Sequence, residues 1–137
     1  MIDTVFFDLD GTLLPMDTDA FLGHYFSLLT RKLAGHGYDP AQLTKAIWAG
    51  TAAMVQNDGC CTNEDAFWRS LTSIFGEGAK EDLPVFEDFY REQFPLVQKS
   101  CGYTPMAREV LHRCRALGLR VALATNPVFP AMDKRHD

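Results

Sequence analysis

The sequence predicts an α/β fold, a small parallel sheet flanked by helices, from three observations. Two short apolar runs, TVFF at residues 4–7 and LRVALA at 119–124, are too brief for helices. They suit buried parallel strands, which read as near-continuous hydrophobic stretches. Between them lie several segments with helical hydrophobic spacing. Each run also stops abruptly in polar residues: Asp8, Asp10, Gly11 and Thr12 after the first, Thr125 and Asn126 after the second.

After the first run, Pro15 breaks regular structure and Asp17, Thr18 and Asp19 offer helix N-caps. Phe21, Leu22, Tyr25, Phe26, Leu28, Leu29 and Leu33 then recur at helical spacing, and Gly35 and Gly37 end the helix. Asp39-Pro40 reads as an N-cap and first helical residue. Leu43, Ala46, Ile47, Ala53 and Met54 carry a second helix, with an interruption expected at Gly50. Thr62 and Asp65 form a capping-box pattern ahead of Phe67, Trp68, Leu71, Ile74 and Phe75. A fourth helix starts near Pro84, with Val85, Phe86, Phe89, Tyr90 and Phe94 inward. Tyr25, Trp48, Phe67, Trp68 and Tyr90 are read as core because their spacing is helical. After a return segment, Thr104-Pro105 starts a fifth helix. Its inner side is Met106, Val110, Leu111, Cys114 and Leu117, with Arg108, Arg113 and Arg115 on solvated faces.

The chain has 137 residues, 47% of them hydrophobic, which fits one ordinary globular domain. A net charge of −5 argues against a general nucleic-acid surface. It also provides no bulk attraction for anions, so a phosphate site must be local. The four cysteines, Cys60, Cys61, Cys101 and Cys114, show no zinc-type spacing, and reduced structural thiols in a cytoplasmic protein are expected. Residues 1–14 lack the basic region of a signal peptide, and no apolar run approaches membrane-spanning length.

A strand that runs into two carboxylates and a glycine lies where α/β sheets bind ligands, beyond the carboxyl ends of the strands. Asp8 is placed to attack a phosphoryl group and form an aspartyl-phosphate. Asp10 is placed to protonate the leaving oxygen and later activate water. Two carboxylates beside a phosphate repel it, so Mg2+ on Asp8 and Asp10 is expected. The plainer alternative is a strand-to-helix turn with solvated Asp side chains.

Asp8-Leu9-Asp10-Gly11-Thr12 resembles the first motif of the haloacid dehalogenase-like (HAD) hydrolases. Such a string arises by chance at roughly one position in 10^5. Residues 119–126, a strand ending in Thr125-Asn126, resemble the second motif. The resemblance implies that Thr125, Asn126, Gly11 and Thr12 hold the phosphoryl group. A crossover connection puts both strand ends on one sheet edge, so Asp8 and Thr125 can converge. The fold implied is a partial Rossmannoid core, residues 1–15 and 100–130, with residues 16–99 inserted as an all-helical cap and 131–137 as an irregular tail.

The activity implied is a Mg2+-dependent phosphatase acting on a small phosphorylated metabolite. Asp10 separates it from the dehalogenase branch. A phosphomutase uses the same two Asp residues, and a non-catalytic remnant that binds phosphate or a protein partner is the reading from another class. The family's third motif, a Lys, and its fourth, an acidic pair, have no convincing match. Lys134, Asp133 and Asp137 follow Asn126 with no strand to place them. Truncation, impaired activity and self-association through an exposed sheet edge are therefore expected.

Overall fold

The computed structural model describes residues 2–125 of the 137. Asn126, Lys134, Asp133, Asp137 and the tail expected over 131–137 lie outside that range. The order is β1 (Thr4–Phe7), α1 (Thr18–Ala34), α2 (Pro40–Val55), α3 (Asn63–Phe75), α4 (Leu83–Glu92), α5 (Pro105–Ala116) and β2 (Arg120–Leu123). Two 3-10 segments, Glu77–Asp82 and Phe94–Ser100, fill stretches that sequence periodicity leaves as a stop and a return. Short 3-10 turns of this kind carry no distinctive pattern of their own.

The chain divides into two compact units, one of residues 2–24 and 96–125 and one of residues 25–95. In the first unit β1 and β2 pair in parallel, with Thr4 opposite Arg120 and Phe7 opposite Leu123. Such pairing needs a long crossover, which the intervening helices supply. α1 starts where the Asp17 carboxylate accepts the Ala20 N–H at 2.9 Å, the N-cap expected from the sequence. α5 starts at Thr104, whose hydroxyl accepts the Met106 N–H, and Pro105 follows it.

The strands are not the buried elements that their composition predicts. Phe6 is 69% exposed and Leu123 49% exposed, and α5 has no buried residue, with Met106 and Leu117 each 64% exposed. The physical reason is that two strands form only one ladder. Among the described residues neither strand is flanked on both sides, so an apolar sequence does not translate into burial.

The second unit holds the larger core. Tyr25, Leu28, Leu29 and Leu33 of α1 are buried, as are Leu43, Ala46 and Ile47 of α2. Phe67, Trp68 and Leu71 of α3 and Phe86, Phe89 and Tyr90 of α4 complete it. Each large side chain fully buried contributes about 1.5–3 kcal/mol. Many rings meet edge to face, as in Trp68 on Phe86 at 5.3 Å between centroids, the arrangement that aromatic quadrupoles favour. Of the aromatics assigned to the core by spacing, Trp48 departs: it is 48% exposed, tilted against Phe26.

α2 runs through Gly50 without a break. The glycine is there for space, because a Cβ would fall 2.6 Å from Cδ2 of Phe67. The capping box at Thr62 forms as its sequence predicts. The Thr62 hydroxyl accepts the Asp65 N–H at 3.0 Å and the Asp65 carboxylate accepts the Thr62 N–H at 3.3 Å.

Candidate active site at the strand ends

Parallel pairing in register brings the carboxyl ends of β1 and β2 side by side. The last rung is the Ala124 N–H donating to the Phe7 carbonyl at 2.8 Å. Asp8 is therefore the first residue past one strand and Thr125 lies two past the other, on the same edge of the sheet. That adjacency is a consequence of topology and needs no special interaction between the two side chains.

After Phe7 the chain folds into a tight loop. The Thr12 and Leu14 N–H groups both donate to the Leu9 carbonyl, at 3.1 and 2.9 Å. The Gly11 N–H donates to the Leu14 carbonyl at 2.9 Å. Gly11 has φ +80°, a conformation that strains residues with a Cβ, so glycine is required here by the backbone. The Thr12 hydroxyl donates to Oδ2 of Asp8 at 3.5 Å, a long bond that ties the loop to the end of the strand. The Gly11 and Thr12 N–H groups are thus engaged within the loop itself.

Asp8, Asp10, Gly11 and Thr12 are exposed and Thr125 is half-buried. Asp8 and Asp10 flank Leu9 where the chain leaves β1 and enters this loop. Leu9 lines a cavity of about 550 Å³ with Leu13, Leu14 and Val121, while neither Asp lines it. Asn126, the remaining phosphate-site residue expected from sequence, lies outside the described residues.

The donor set at the loop fits a hard divalent cation. Two carboxylates are present, and among the described residues no group of three or more His, Cys, Asp or Glu side chains is arranged to hold a metal.

Sequence reasoning missed the basic lining of the Leu9 cavity. Arg108, His112 and Arg115 of α5 face it. Their spacing of four and three residues puts them on one helical face, a signal that was available in the sequence. Arg108 and Arg115 are exposed, as expected from their solvated faces, while also lining this cavity. A second feature invisible to sequence is the 2.9 Å hydrogen bond between Nδ1 of His24 and the Ser100 hydroxyl, which spans 76 positions.

Among the described residues no helix is long and apolar enough to cross a membrane. Comparison with known proteins found no matching curated protein and no matching solved structure. A family model described as haloacid dehalogenase-like hydrolase matches residues 5–134, a span that contains the Asp8–Asp10 loop, β2 and all of β1 except Thr4. The chain belongs to the haloacid dehalogenase-like hydrolases.

Proposed function

We propose that the chain is a phosphoric monoester hydrolase that works through an aspartyl-phosphate on Asp8, with a small phosphorylated metabolite as substrate. The observation that carries this is the shared strand edge, where the Ala124 N–H to Phe7 carbonyl bond sets the Asp8 and Thr125 ends together. An attacking carboxylate and a neutral hydroxyl donor on one edge form an acceptor and a cradle for a phosphoryl group.

Asp8 attacks phosphorus as the bond to the leaving oxygen breaks, and Asp10 delivers its proton to that oxygen. Asp10, now a carboxylate, takes a proton from water, which attacks the acyl phosphate and frees phosphate and Asp8. The Thr125 hydroxyl and the Asn126 amide donate to the phosphoryl oxygens. The loop held by Gly11 and Thr12 keeps the two carboxylates at a fixed spacing. Asp8 and Asp10 would hold Mg2+, which would neutralise charge between the carboxylates and the phosphoryl group. In this reading residues 16–99, mostly helical, serve as a cap that selects the substrate and excludes water.

The test is acyl-phosphate trapping. The chain is incubated with Mg2+ and acetyl phosphate, quenched in acid and digested for mass spectrometry. Phosphate on Asp8, released by hydroxylamine, is expected. Asp8→Asn is expected to abolish the adduct and to cut turnover of aryl phosphates by about 10^4-fold or more. A folded Asp8→Asn variant with unchanged turnover would overturn the assignment.

A further inference from the structure

A second cavity, of about 530 Å³, opens at the turn between α2 and α3 in the helical unit. Its lining includes the adjacent pair Cys60 and Cys61, with Asn57, Asp58, Arg69 and Ser70. Neither Cys60 nor Cys61 is in a disulfide, and Cys60 is exposed.

The loop that presents the pair is held from several directions. The Asn57 side-chain amide donates to the Cys61 carbonyl and to Oδ1 of Asn63, each at 2.9 Å. Its oxygen accepts the Gly59 N–H at 3.2 Å and the Cys61 thiol at 3.7 Å. Asp58 accepts the Cys60 N–H at 3.0 Å. Gly59, at φ +90°, supplies the bend. These bonds hold a loop whose Cys60 and Cys61 both line one cavity before any ligand arrives. Preorganisation of that kind lowers the entropy lost on binding.

Adjacent residues have Cα atoms about 3.8 Å apart, below the roughly 4.4 Å that a disulfide ordinarily requires. The pair is therefore poorly suited to closing on itself and well suited to gripping something between its sulfurs. Thiolates select soft centres. Among the described residues no third His, Cys, Asp or Glu completes a metal cluster. A four-coordinate ion such as zinc would be left short of protein ligands. The fit is to a centre with two open positions that brings its other substituent with it.

We propose that Cys60 and Cys61 form a chelating dithiol site for a trivalent, arsenic-type soft centre, independent of the hydrolase loop. With an organic arsenoxide, two As–S bonds form while the arsenic–oxygen bond and two S–H bonds break. The oxygen leaves as water with both thiol protons, and no electron changes hands.

The probe is phenylarsine oxide on the full, pre-reduced chain, read by native mass spectrometry and free-thiol titration. One arsenic per chain is expected, with loss of two thiols, retained against excess mercaptoethanol and released by a dithiol. Cys60→Ser or Cys61→Ser is expected to weaken retention about 10^2- to 10^4-fold, the loss of a chelate's second arm. Cys101→Ser and Cys114→Ser are expected to leave it unchanged. Circular dichroism of each variant checks the fold, and Ser in place of Cys61 keeps a donor to Asn57. An adduct equally stable in either single variant, or Cd2+ bound as tightly as the arsenoxide, would overturn the proposal.

Discussion

Replacing Gly50 with Ala sets two effects of opposite sign against each other. Gly50 lies inside α2, where Ala is favoured over Gly by about 1 kcal/mol of helix propensity. A Cβ at this position falls 2.6 Å from Cδ2 and 2.7 Å from Cε2 of Phe67. Carbon atoms at contact prefer about 3.5–4.0 Å. Phe67 is 4% exposed, and its ring packs edge-on against Trp68 at 5.7 Å, so it cannot simply swing into solvent. Overpacking of a tight core costs about 1–3 kcal/mol. With two ring atoms inside 3 Å, the upper part of that range applies, and the net result is a loss of about 1–2 kcal/mol. For a unit of about 70 residues each kcal/mol lowers Tm by roughly 4–8 °C. Urea and thermal melts of the full chain, followed by far-ultraviolet circular dichroism, measure this directly. Gly50→Ala combined with Phe67→Leu is expected to show a favourable coupling of about 1 kcal/mol in a double-mutant cycle. If Gly50→Ala alone melts at or above the parent temperature, helix propensity has won and the close approach of α2 to Phe67 is not the constraint described above.

Three further outcomes are expected. Tyr25 and Tyr90 share a buried 2.8 Å hydroxyl bond, and burial pushes Tyr90 up to about 12 and Tyr25 well above its ordinary 10. Both folded values exceed the unfolded one. Their contribution is therefore full below pH 10 and is lost as pH rises through 10 to 12, by roughly 2–3 kcal/mol from Tyr90 alone. Tyr25→Phe with Tyr90→Phe should flatten the alkaline fall in urea melts between pH 9 and 12; an unchanged slope would show that other groups control it. Thr62→Ala removes the hydroxyl of the α3 capping box and is expected to cost about 1 kcal/mol. A cost below a few tenths in urea melts would show that the box contributes little. Asp10→Asn should slow hydrolysis about 10^2- to 10^4-fold, the usual worth of general acid–base catalysis. The loss should be larger for an alkyl phosphate than for nitrophenyl phosphate, whose leaving group needs no proton. Equal losses on both substrates would remove Asp10 from the role of proton donor.

Local chemistry was readable from the residues alone where it was self-contained. The Asp17, Asp39, Thr62 and Thr104 caps, the glycine bend at Gly11 and the family's first motif each depend on neighbours within a few positions. Helical spacing likewise identified most inward residues of α1 to α4, because those helices have one another to pack against, though Trp48 and Ile74, read as inward, are exposed. Burial of the strands was not legible. Apolar composition at Phe6 and Leu123 states what a side chain prefers, whereas its exposure depends on how many elements surround it. The same limit explains Gly50, which resembles a helix breaker until the Phe67 ring fills the space above it. It also explains the basic lining at Arg108, His112 and Arg115, whose shared face is periodic but whose cavity exists only once the Leu9 loop folds over it. The meeting of the Asp8 and Thr125 strand ends belongs to both levels. Sequence specifies two strands and a long crossover, and only the parallel ladder from Thr4–Arg120 to Phe7–Leu123 converts 117 residues of separation into one edge.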